Sequence, residues 1–411
     1  MQMPDPRFLR SNAPWLSAGF LIAFGSGYGQ TFFISVFAAE LQAEFGLSHA
    51  GWGALYSAGT LLSALAMIWA GGWADRMRVR SLGALIVLGM AASCLGMATV
   101  ASPAMLVIVI LGLRFFGQGM STNLASIAMA RWFASNRGKA LAFATLGVAA
   151  AEALLPVGFV ALKPVLSWRM LWVLAAGLAL LAIPLLFFLL RRERTPQSLS
   201  DATHTPGMAG RDWTRAQALR HPLFWCALPS IMSPAIFMTA FYFHQVHVAQ
   251  AKGLAHAQLV TLFPLATLVS VSAVIGSGIL IDRLGARRLM TLFQLPMAAG
   301  FAVLGVSSGL GMTAVGLMLL SATIGGFMTV SSAFWAEFYG TRHMGSIRAG
   351  AASALVLGTA IGPVVTGALI DAGVPMVRQM PLYSLIFLAN TALLAMGFAA
   401  SARRGETPVR V

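Results

Sequence analysis

Acidic side chains are scarce in this chain: 12 Asp and Glu stand among 411 residues, and charged residues of every kind make up 9%. A soluble globular chain carries roughly a quarter charged residues, so a surface that faces water all round is excluded. Cysteine is nearly absent as well. Cys94 and Cys226 both fall inside long apolar runs, which leaves no disulfide framework and no metal-ligand spacing. No Gly-x-x-x-x-Gly-Lys-Ser/Thr loop occurs, so nothing supports a built-in nucleotide motor. No spacing of nucleophile, base and orienting group suggests catalysis, and no cofactor or metal is expected. A membrane receptor would more naturally carry a sizeable signalling domain, and none is seen.

What the chain does have is apolar length, with 58% of its residues hydrophobic. At roughly 20 apolar residues per spanning helix, the blocks between short basic or Gly/Pro-containing loops number twelve: 13–38, 50–73, 81–101, 104–130, 139–162, 168–190, 222–249, 256–281, 288–308, 311–337, 348–371 and 380–401. The expected fold is an all-α membrane protein of twelve transmembrane helices. The first twelve residues are polar and the apolar stretch after them is long enough to span, so no cleavable signal is expected and the first helix is retained.

The net charge of +15 would suit a nucleic-acid partner if it were spread evenly, but it is not. With the N-terminus inside, 22 of the 27 Lys and Arg fall in the termini and the loops on the same side. Only Lys163, Arg169, Lys252 and Arg378 lie opposite, and Arg114 is left within a span. This is the positive-inside asymmetry, which predicts a multi-pass plasma-membrane protein, such as one of a bacterial inner membrane, with both termini cytoplasmic and no nucleic-acid partner.

One polar stretch rich in Ser, Thr, Pro and charge divides the blocks into six and six. The expected organisation is a six-helix bundle over 1–190, a cytoplasmic linker over 191–220 and a second six-helix bundle over 221–411. The halves repeat each other at a constant offset of 207: Gly46-Leu47-Ser48-His49-Ala50 matches Gly253-Leu254-Ala255-His256-Ala257, Asp75-Arg76 matches Asp282-Arg283, Gly138 matches Gly345, and Pro156 matches Pro363. A parallel repeat of two bundles is an architecture that secondary transporters use.

The repeated loop carries a further signal. Gly278-Ile279-Leu280-Ile281-Asp282-Arg283-Leu284-Gly285-Ala286-Arg287-Arg288 and, with Trp73 and Arg78 at two of the pattern's positions, Gly71 to Arg80 resemble the signature loop of the major facilitator superfamily. Arg114-Phe115-Phe116-Gly117-Gln118-Gly119 and Gly358-Thr359-Ala360-Ile361-Gly362-Pro363 are similar to that family's patterns in its fourth and eleventh helices. The connection from Arg131-Trp132-Phe133 to Arg137-Gly138-Lys139-Ala140 resembles the oxalate/formate and monocarboxylate transporter branch. The resemblance implies a monomeric carrier of a small solute working by alternating access, with the first, fourth, seventh and tenth helices lining its cavity.

Ionisable side chains in mid-bilayer are costly, so each one is a functional candidate. At 1.5 Å rise per residue, Arg114 lies about 15 Å from the outer end of the fourth span and Glu152 about 20 Å from the inner end of the fifth, at similar depth. Gln118 and Thr122 follow Arg114 at four-residue steps, which on a regular helix gives one polar face. Arg114 suits an anion; Glu152 suits a proton carrier, and the alternative is a structural Arg114–Glu152 pair. Tyr28, Gln30 and Thr31 offer polar contacts in the first span, and Tyr242, His244, Gln245 and His247 in the seventh. Two histidines without nearby carboxylates in sequence are a weak metal signal, so a vestibule lining is expected instead. Asp75, Arg76, Asp282, Arg283, Arg131 and Glu337 are the expected inner gate, with Asp75 and Asp282 capping helix N-termini of the opposite bundle.

The leading expectation is a carrier of a small organic anion driven by protons or by exchange; the alternative is proton-coupled efflux of amphiphilic or cationic compounds, with Glu152 facing the cation. The topology is tested by single cysteines near Ser198 and near His49 in a background lacking Cys94 and Cys226. The two should label from opposite sides of the membrane; labelling of both from outside intact cells contradicts the topology.

Overall fold

The computed structural model describes residues 6–73, 77–133, 136–192 and 206–407. It is helical throughout, and ten of its helices are long and apolar enough to cross a membrane. A bent pair makes a further crossing; the run to Leu292 is broken at Gly285, and the residues after that break lead into a short apolar helix, Leu295–Val306, which brings the count to the twelve expected. In chain order they are α1 (Phe8–Gly29 with Thr31–Phe45), α2 (His49–Ala70), α3 (Val79–Ala98), α4 (Pro103–Trp132), α5 (Arg137–Leu162), α6 (Trp168–Leu189), α7 (Pro222–Phe243), α8 (His256–Leu292), α9 (Leu295–Val306), α10 (Leu310–Tyr339), α11 (Met344–Asp371) and α12 (Met376–Arg403).

The outer faces are those of a protein solvated by lipid: Ile68 is 75% exposed and Trp69 83%. Apolar residues therefore cover helices on both sides, and packing specificity comes from small residues. α1 packs on α5, α2 on α4 and α3 on α6; in the second half α8 packs on α10, α7 on α11, and α9 on α10 and α12. The two bundles meet along α2 with α11 and α5 with α8. An even number of crossings puts both termini on one face, called proximal here, and loops such as those at 46–48 and 372–375 on the distal face.

Two interruptions of regular helix shape the centre. In α1 the run Ser26-Gly27-Tyr28-Gly29 winds as a tight 3₁₀ turn, Gln30 is extended at φ −87° and ψ 153°, and the helix resumes at Thr31 with an overall bend of 47°. In α4 the segment Arg114–Ser121 is π-helical, a wide turn that occurs mostly as an insertion within α-helices and frequently at functional sites. The two interruptions touch. A Cβ on Gly29 would stand 2.0 Å from Leu113 O, and one on Gly117 would stand 2.6 Å from Gly29 Cα. Only hydrogen fits at both positions.

Of the expected linker, 193–205 lie outside the described residues. Arg191 and Arg192 follow the end of α6, where the Arg192 carbonyl accepts from Trp15 Nε1, and 206–220 fold onto the proximal end of the second bundle. Thr214 caps the short helix Arg215–Arg220 through a reciprocal capping box with Gln217, the Trp213 ring lies 5.7 Å from that of Tyr339, and Asp212 pairs with Arg342 at 3.3 Å.

The close approach of α1 and α4 gives a stability test. Gly29→Ala should lower the unfolding temperature by the equivalent of about 1–3 kcal/mol of overpacking, whereas Gly25→Ala, with nothing within 4 Å of its Cβ position, should not destabilise. Thermal unfolding in detergent checks this; equal behaviour of the two variants contradicts it.

Candidate functional site

Arg114 is buried where α4 meets the break in α1. Its Nη1 donates to the carbonyl of Gly29 at 3.1 Å and to Thr31 Oγ1 at 3.4 Å. Thr31 Oγ1 is in turn 2.6 Å from the hydroxyl of Tyr56 on α2, and the guanidinium carbon sits 5.4 Å from the centre of the Tyr56 ring. Gly29 is the last residue before the break, so the interruption that bends α1 also presents the carbonyl that holds the cation. These partners leave the group incompletely satisfied. Nε is buried without a partner, and no carboxylate pairs with Arg114 among the described residues. Tyr56 was not among the expected site residues; a tyrosine two turns into the second span carries no spacing signal towards Arg114.

The π-turn also alters the expected polar face. A four-residue step returns to the same face only on a regular helix, and here Arg114 is buried while Gln118 is exposed. Thr122 is half-buried and donates to the carbonyl of Gln118 in its own helix. Tyr28 is buried with its ring 5.5 Å from that of Phe33, and Gln30 is half-buried at the break.

Glu152 does not meet Arg114. Its Oε1 accepts from the hydroxyl of Tyr242 on α7, a hydrogen bond across the two bundles. The Tyr242 ring packs edge-on to Phe263 at 5.3 Å and Phe32 at 6.2 Å. Phe32 follows Thr31 in sequence, so adjacent residues of α1 touch the Arg114 site and the Glu152–Tyr242 bond.

Further bonds between the bundles lie in the distal half. Gln245 Nε2 donates to Phe32 O at 2.9 Å, and Ser57 on α2 donates to Ala360 O on α11. Phe243 lies 5.4 Å from Trp52 and 4.8 Å from Tyr56. At the distal end the carboxylate of Asp371 accepts from the backbone N–H of His49 at 3.0 Å and of Ala50 at 2.8 Å, capping the N-terminus of α2 from the other bundle. This cap works by the physics expected of Asp75 and Asp282, an acid on a helix N-terminus, but it sits on the opposite face. A carboxylate at the end of α11 followed by Ala372-Gly373 was the available signal. His244 is buried, with Nε2 3.0 Å from Pro363 O of its own bundle.

The expected gate residues belong to the proximal end. Asp75 and Arg76 lie outside the described residues. Asp282 and Arg283 are exposed and find no partner among the described residues. Glu337 accepts from the N–H of Ala286 at 3.1 Å, just after the turn at Gly285, where φ is +78°. It caps a backbone turn rather than meeting a loop arginine. Arg131 stands half-buried in the last turn of α4.

Comparison with known proteins fits this geometry. The profile described as Major Facilitator Superfamily matches residues 19–284. A bacterial homologue of the human lysosomal transporter Spinster, solved in an inward-facing and unoccupied conformation, has a TM-score of 0.66 and 17% identity over 96% of this chain and 97% of that one. The same kind of homologue in an inward-facing and occupied conformation has a TM-score of 0.69 and 17% identity over 100% of both chains. At that identity the likeness is one of fold. No curated protein matches the chain, and none of these matches singles out the oxalate/formate and monocarboxylate branch.

The cap supplied by Asp371 should be measurable. Asp371→Asn removes the charge and one of the two oxygens that accept from helix N–H groups, a loss of about 1 kcal/mol in the distal-closed form. Hydrogen–deuterium exchange should speed up at the first turn of α2 and stay unchanged in α3; unaltered exchange at the first turn of α2 would show that the carboxylate does not hold that seam.

Proposed function

The chain belongs to the Major Facilitator Superfamily, and from that membership we propose that it is a secondary carrier of a small organic anion, driven by protons or by exchange. The observation that carries this reading is the Arg114 guanidinium, buried at the break in α1, with Nε unpartnered and no carboxylate beside it among the described residues. A permanently charged fork of donors in that state matches a carboxylate or phosphate oxygen pair. The resemblance of the Arg131–Ala140 connection to monocarboxylate carriers points the same way.

In this reading Glu152 is the proton site. As a carboxylate it accepts from Tyr242 and ties the bundles; after taking up a proton it gains a donor and loses its charge, and that bond weakens. The α1 break links the two events, since Thr31 contacts Arg114 and Phe32 contacts Tyr242. Anion binding and proton binding therefore act on one bent segment. The charge asymmetry supports a plasma-membrane protein with cytoplasmic termini, and the single-chain repeat supports a monomer.

Transport by purified protein in proteoliposomes tests the assignment. Arg114→Lys keeps the charge but loses the planar fork, and should weaken anion affinity about tenfold or more, or 1.4 kcal/mol. Glu152→Gln should abolish uphill transport driven by a proton gradient while counterflow exchange survives, because exchange moves no net protons. An anion carrier that keeps full affinity after Arg114→Gln overturns this reading. A cation whose binding vanishes with Glu152→Gln installs efflux in its place.

A further inference from the structure

At the distal end of the seam, a pocket of about 200 Å³ is lined by Gln42, His49, Trp52, Phe243, His244 and His247 among others. The His49 ring, on α2, lies 5.0 Å from that of His247 and 5.9 Å from that of His244, both on the extension of α7. Three of the chain's seven histidines thus meet across the line where the bundles must part. We infer that this cluster is a proton-operated gate: acidification of the distal face charges His49, His244 and His247 and drives the bundles apart there. The inference rests on the alternating-access reading but needs no substrate.

The hydrogen bonds fix where the protons would go. His247 Nε2 accepts from the backbone N–H of Met376 at 3.4 Å, so its other nitrogen already bears a hydrogen and a second proton must land where the Met376 N–H points. A backbone amide cannot turn away. His49 Nδ1 is 3.2 Å from the Gln42 amide nitrogen, and protonation there also sets donor against donor until the amide turns. His244 keeps its bond to Pro363 O and takes its proton on Nδ1. Charging the cluster thus loses bonds and gathers up to three cations across the seam.

The surroundings do not offset this. Asp371 on α11 is the carboxylate beside the cluster, and it already serves the N–H groups of His49 and Ala50. On α1 and α5, Glu40 is engaged by Lys163 at 2.6 Å. Lys252 beyond α7 binds Leu304 O at 2.6 Å, and His256 on α8 lies 3.3 Å from Gln245 Oε1. One committed carboxylate faces the histidines, with cations on the neighbouring elements. Protons then bind the parted form more tightly than the closed one, so acid favours parting and the seam is intact above the histidine range, about pH 6.5 for an unperturbed imidazole.

The test is a pulsed electron paramagnetic resonance distance between nitroxides at Ala101→Cys and Ser308→Cys, exposed positions in distal loops of the two bundles. It uses the full chain lacking Cys94 and Cys226, in lipid nanodiscs without substrate. From pH 8 to pH 5 the long-distance population should rise severalfold. Combined His49→Gln, His244→Gln and His247→Gln should remove the response, and Glu152→Gln should leave it. If the triple variant fails to fold, His247→Gln alone, whose amide oxygen can still accept from Met376, should weaken it. Equal distances at both pH values in the parent, or an undiminished response in the histidine variants, overturn the inference. A response removed only by Glu152→Gln assigns the effect to that residue and also overturns it. Failure of the anion assignment would leave this response in place.

Discussion

A guanidinium cannot shed its charge, and Arg114 lies inside a protein whose outer face is lipid. Burying such a cation costs several kcal/mol unless oxygen atoms replace its water. The break in α1 supplies some of them. Unbroken helix would engage the Gly29 carbonyl in its own ladder, and bulkier residues would keep α1 away from α4, because Gly29 and Gly117 approach to where no Cβ fits. The glycine run, the bend, the π-turn and the Thr31–Tyr56 pair make one arrangement around a single cation. Among the described residues the arrangement includes no negative charge.

The bundles are joined distally by separable contacts: the Tyr242–Glu152, Ser57–Ala360 and Gln245–Phe32 bonds, the Asp371 cap, and aromatic contacts of Phe243. A single hydrogen bond contributes about 0.5–1.5 kcal/mol net, more where an ion takes part. A handful sums to the scale of a two-state equilibrium that a ligand or a proton can shift. The proximal residues Asp282 and Arg283 stand exposed in this state, as they would when the distal half is the closed one.

Much of the architecture was legible from apolar length and charge placement. Twelve crossings follow from the thickness of a bilayer, and the parallel repeat from the pairs such as Asp75-Arg76 and Asp282-Arg283. Rise per residue set Arg114 and Glu152 at one depth, but depth says nothing about which neighbour lies between them. The α1 break does, and so Glu152 meets Tyr242. Spacing also assumes a regular helix, and the π-turn in α4 moved Gln118 off the face of Arg114. Asp371 lies outside the repeated basic loops that mark Asp75 and Asp282, and its cap depends only on which helix starts nearby. Tyr56, Gly29 and Gly117 act through contacts between elements, which no single segment encodes.

Thermal unfolding of the purified protein with panels of small organic anions and cations tests the central claim most directly, since a ligand of the native state raises the unfolding temperature in proportion to RT ln(1 + [L]/Kd). A carboxylate or phosphate compound should stabilise the parent protein and leave Arg114→Gln unmoved. Stabilisation by cations alone, or by an anion equally in parent and variant, would contradict the account.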